Sequence, residues 1–155
     1  MYLLKGHAST PDVDDEACSF AHGSIVWRKL PPLLVSHREG DVAGEVLKLQ
    51  WVPQGLWIEC TVDDRHANVK AFSVRCSLPD EGSFKIIGRG RDAYALVKHA
   101  TLREISITDN PANPTAKVLT RERYTPPVAR AEIPITKSDR DAQFAYWLAE
   151  MRAGR

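Results

Sequence analysis

A serine hydroxyl becomes a nucleophile only when a base lies within hydrogen-bond reach and a third group orients that base. His37 is placed to be such a base. It ends the apolar run Leu33-Leu34-Val35, follows Pro31-Pro32, and precedes the loop Arg38-Glu39-Gly40-Asp41. A strand end of this kind fixes the backbone while leaving the ring to face a cleft; the same placement also suits a structural histidine with a fixed partner. The other histidines have plainer readings. His7 and His22 flank an acidic stretch and read as surface residues, His66 lies beside Asp63, Asp64 and Arg65 at a solvated helix start, and His99 follows Lys98 without distinctive context. Ser73 and Ser77 share one face of a strand, and Ser106 shares a face with Glu104 by the two-residue period. All three serines stand as candidates on spacing alone. The chain has no G-x-S-x-G elbow, which removes an α/β-hydrolase site. Gly88-Arg89-Gly90-Arg91 lacks the lysine and the strand–helix context of a phosphate loop and reads as a basic turn. Cys18, Cys60 and Cys76 form an odd set with no C-x-x-C pair, so three reduced thiols are expected, with neither disulfides nor a structural metal.

The elements that must position these residues are strands. Residues 2–5, 24–28 and 33–35 are short candidates, and 43–52 joined to 56–62 through Pro53-Gln54-Gly55 predicts a hairpin, with Leu56, Ile58, Cys60 and Val62 on one face. Asp63-Asp64 caps an expected short helix through Lys70. Residues 71–78, 83–87, 94–97, 100–108 and 116–119 follow as further strands, the one over 100–108 stopped by Asp109-Asn110-Pro111. The last third changes character. Residues 125–137 carry Pro126, Pro127 and Pro134 and predict an extended arm. Ser138-x-x-Asp141 then opens a helix over 138–155, with Phe144, Trp147, Leu148 and Met151 at i, i+3, i+4, i+7. The expectation is six to eight strands over residues 1–124, one or two helices, the arm, and an amphipathic C-terminal helix whose apolar stripe favours a homo-oligomer.

The bulk properties narrow the function classes. At 155 residues the chain can bury one core, and 43% apolar with 26% charged residues is the composition of a globular protein. Lys+Arg 21 against Asp+Glu 20 leaves a net charge of +1, which argues against a chain built to grip nucleic acid. No apolar run approaches the roughly 18 residues a membrane helix needs. The opening MYLLKGHAST has no apolar signal core, so the protein is expected to stay where it is made.

Three blocks in order carry a family resemblance. They are L-P-P-L-L-V-S-H (30–37) with A-G-E-V (43–46), A-F-S-V-R-C (71–76), and L-R-E-I-S-I-T-D-N-P-A-N-P-T-A-K-V (102–118). Together with G-H-A-S-T-P-D-V-D-D (6–15), they resemble the prohead maturation serine proteases of tailed bacteriophages over roughly residues 3–120. The resemblance implies a fold shared with herpesvirus assemblin: a closed or nearly closed, mostly antiparallel β-barrel with flanking helices. It implies Ser73 as nucleophile, His37 as general base and Glu104 as the group that orients the histidine, with no cofactor. It also implies scaffold and major capsid protein as substrates, cleaved inside the procapsid in the bacterial host cytoplasm. One departure stands out. Arg75 and Cys76 occupy positions where the family has glycine and an aromatic residue, which puts Arg75 in or beside the substrate pocket. The alternative from another class is a catalytically inactive capsid-assembly relative with the same fold.

Overall fold

Short apolar–polar alternations broken by Gly, Pro and Asp build strands, and strands make almost all the regular structure. The computed structural model describes residues 1–126. Its strands are β1 (Tyr2–Ser9), β2 (Cys18–Phe20), β3 (Ile25–Val26), β4 (Leu33–Val35), β5 (Val42–Val52), β6 (Gly55–Val62), β7 (Ala71–Ser77), β8 (Phe84–Ile87), β9 (Tyr94–Val97), β10 (Ala100–Thr108) and β11 (Val118–Arg123). The main sheet runs β11-β1-β6-β5-β4-β10-β3, with β7 paired to β10, and a smaller sheet runs β2-β9-β8. The expected hairpin is β5–β6, and its alternating Leu56, Ile58, Cys60 and Val62 are fully buried. With Leu4, Ile25, Leu33, Val46, Phe72, Ile105 and Ile107 they form the core.

β10 is the strand that matters most for the site. It pairs in parallel with β3 and β4 and antiparallel with β7. Its register shifts between Leu102 and Glu104, so one extra residue is accommodated there. Such a bulge changes the phase of a strand. Leu102 and Ile105 therefore both reach the core although they are three residues apart, and Glu104 and Ser106 fall on the other face.

The structure revises several expectations. The barrel does not close as a continuous ladder. β11 stays paired with β1, and among the described residues the two ends of the sheet meet through the Ala71–Lys117 bridge and the neighbouring bonds Phe72 N–H to Ala116 O and Val118 N–H to Lys70 O. Pro111 and Pro114 in the connecting loop cannot donate ladder bonds, so β10 has no continuous path into β11. The helix expected after Asp63 is a single 3-10 turn, Asp64–His66. The chain turns at once into β7, and Lys70 N–H is already held by Asp109. The strand expected over 24–28 is only the two-residue β3, and β2 was not expected, because a three-residue piece held by parallel pairing with β9 leaves no local pattern. The proline-rich arm beyond Pro126 and the C-terminal helix lie outside the described residues.

Candidate active site

Three neighbouring strands bring the candidate residues together. Ser73 lies on β7 directly opposite Ser106 of β10. Glu104 lies two residues earlier on β10, and His37 follows the end of β4 on the other side of β10. Phe72 and Ser73 divide the labour of β7, since Phe72 is fully buried in the core and Ser73 faces the opposite side. Ser36 N–H continues the β4–β10 pairing by donating to Ile107 O. The backbone then enters the left-handed region at Ser36 (φ 45°) and His37 (φ 59°). Two consecutive non-glycine residues there are costly, by about 1–3 kcal/mol each, and persist only where the surroundings enforce them. The turn is held by Arg38 N–H to Val35 O and Val35 N–H to Asp41 O.

Held in this way, the His37 ring lies between a hydroxyl and a carboxylate. Its Nε2 is 2.8 Å from Ser73 Oγ, and its Nδ1 bonds to Glu104 Oε1. A carboxylate at Nδ1 keeps the ring proton on that nitrogen and leaves Nε2 free to accept the serine hydroxyl. Glu104 is only 5% exposed, so its charge needs partners. Besides the imidazole it has Ser106 Oγ–H, donated to Oε2 at 2.8 Å, and Arg75 Nε at 3.8 Å from Oε1.

The site opens on a cleft of about 1100 Å³, bounded by β7, by β2 and β9 of the small sheet, by Asp14–Glu16 and by the loop 109–114. His37, Ser73, Arg75 and Cys76 line it. Burial, together with nearby Cys18 and Glu104, pushes the Cys76 thiol up to about 12. Such a thiol stays protonated at neutral pH and is a poor competitor for the nucleophilic role.

The remaining candidates separate cleanly. Ser77 is not at the histidine; its Oγ accepts from Arg103 Nε at 2.7 Å. Ser106 is at the site but fully buried, with its hydroxyl committed to Glu104 and to the His37 N–H. It is therefore no nucleophile. Its supporting part is what the sequence reading missed, and its shared face with Glu104 was the one available signal. Arg75 lines the cleft, and its guanidinium turns back toward Glu104 and the His37 carbonyl. His22 contacts Val52 O and His7 packs edge-on against Trp57, both away from these residues in contact.

Neither a protein-family model nor a curated protein matches the sequence. Among solved structures, the chain is similar to KSHV protease, crystallised in complex with a hexapeptide phosphonate inhibitor. The two superpose with a TM-score of 0.54 at 12% identity, over 96% of this chain and 76% of the KSHV protease chain. The fold is assemblin-like. At that identity the likeness concerns the path of the chain and not its chemistry.

Proposed function

We propose that the protein is a serine endopeptidase with Ser73 as nucleophile, His37 as general base and Glu104 as the carboxylate behind the base. The observation that carries this reading is the continuous chain Ser73 Oγ–His37–Glu104 at the edge of an open cleft. Ser73 Oγ attacks the scissile carbonyl as Nε2 takes its proton, and Glu104 stabilises the resulting imidazolium. The tetrahedral intermediate collapses as His37 returns the proton to the leaving amine. Water then repeats the cycle on the acyl-enzyme and frees Ser73. The motif blocks at 30–37, 71–76 and 102–118 support a finer reading, prohead maturation, with scaffold and capsid-protein segments as substrates.

A fluorophosphonate tests the chemistry, because it forms a stable adduct only with an activated serine. The full chain should gain one covalent adduct that maps to Ser73, and Ser73→Ala should gain none while its Tm stays within a few degrees. A chain that stays unlabelled counts against the protease and in favour of the non-catalytic alternative. Co-expression with a phage scaffold and capsid protein then tests the finer reading: cleavage that depends on Ser73 supports it, and intact termini count against it.

A further inference from the structure

Two side chains at the site connect the same two groups. Ser106 Oγ–H donates to Glu104 Oε2 at 2.8 Å, and Ser106 Oγ itself accepts the His37 backbone N–H at 2.9 Å. Arg75 holds Nε 3.8 Å from Glu104 Oε1 and donates from Nη2 to the His37 carbonyl at 3.4 Å. Each therefore runs from the carboxylate that holds the imidazole to the backbone that carries it. One reaches the N–H of His37 and the other its C=O. The residue held between them is the left-handed one at φ 59°. Glu104 is fixed in the same way, with Oε2 taken by Ser106 and Oε1 shared between His37 and the arginine charge.

We infer that Ser106 and Arg75 are positioning residues that lock the His37 backbone and the Glu104 carboxylate into one unit. The catalytic consequence rests on the protease reading above; the clamp itself does not. A hydroxyl is suited to the buried side because it donates and accepts at one atom. A guanidinium is suited to the open side because its spread charge lies beside the carboxylate while a separate N–H donates to the carbonyl, which a compact ammonium cannot do in the same geometry. Arg75 on this account is a working part of the site and not an obstruction in the pocket. Displacing a reacting group by about 1 Å can cost roughly 100-fold in rate.

The test uses the full chain carrying Ser106→Ala, Arg75→Met or Arg75→Lys, with two readouts. The first is the far-downfield imidazole N–H proton resonance of His37, assigned by its loss in His37→Ala. It should disappear or broaden in Ser106→Ala and Arg75→Met. The second is fluorophosphonate labelling of Ser73, resolved into its maximal rate and its half-saturating concentration. The maximal rate should fall roughly 100-fold in Ser106→Ala and roughly 10-fold in Arg75→Met, with half-saturation unchanged. Arg75→Lys should remain as slow as Arg75→Met, and full recovery with lysine would reduce the role to charge alone and overturn the bridging. A variant that keeps both the resonance and the wild-type maximal rate overturns the role of that residue, whatever happens to its Tm. If Ser106→Ala does not fold, Arg75→Met at a half-exposed position decides the matter. If the wild-type chain takes no label, the protease reading fails, and the resonance alone still decides the clamp.

Discussion

Cys76 sits three residues beyond Ser73 and lines the same cleft, so a thiol mechanism is the nearest chemical rival at the residue scale. Its raised pKa gives the rivalry a sign. A thiol titrating at about 12 is neutral throughout the range below it and reacts only as the thiolate forms. Maleimide treatment near neutral pH should therefore leave fluorophosphonate labelling of Ser73 intact, with Cys76 alkylated only as the solution becomes strongly alkaline. Rapid alkylation of Cys76 near neutrality, with loss of serine labelling, would contradict this. His37 and Ser73 were legible in the sequence because an apolar run ending in histidine and a serine on a strand are local patterns, and the family resemblance chose among the serines. Ser106 was legible only as a neighbour of Glu104. Its role depends on the His37 N–H, 69 residues away, and no spacing rule encodes that contact.

For the strands, the decisive quantity is how closely two backbones approach. Gly6 lies where β1 meets β11, and a Cβ there would stand 2.1 Å from Lys117 O. Lys117 also forms the bridge to Ala71 at the start of β7, so a side chain at position 6 pushes on the strand that carries Ser73. Gly6→Ala should lower stability by about 2–3 kcal/mol, seen as a fall in the urea midpoint, and should slow labelling of Ser73. An unchanged midpoint would mean that β11 shifts without cost. The β5–β6 hairpin was readable because its turn residues and alternation are contiguous in the chain. The phase change at Arg103 was not. A bulge is set by the partner strand, and the period-two reading alone would have put Leu102 on the face of Glu104.

At the scale of the whole molecule, residues Met1–Tyr124 form a unit with the candidate site inside it. The apolar stripe read at Phe144, Trp147, Leu148 and Met151 belongs to the remainder. Light scattering should therefore give a multiple of the single-chain mass for the full chain and the single-chain mass for one ending at Tyr124, and the shorter chain should keep its β-type circular dichroism. A single-chain mass for both would remove the expected oligomer. The position of β10 has a further consequence, for timing. β10 pairs on one side with Leu33–Val35 and on the other with Ala71–Ser77, so these pairings reach far back along the chain. Pairings that close long loops form late, because the entropy of closure is lost before the contacts can repay it. Glu104 and Ser106 arrive only when β10 inserts between its neighbours. A nascent or half-folded chain would thus hold a serine and a histidine with nothing to align them, and the activity proposed above would begin only after the molecule had finished making itself.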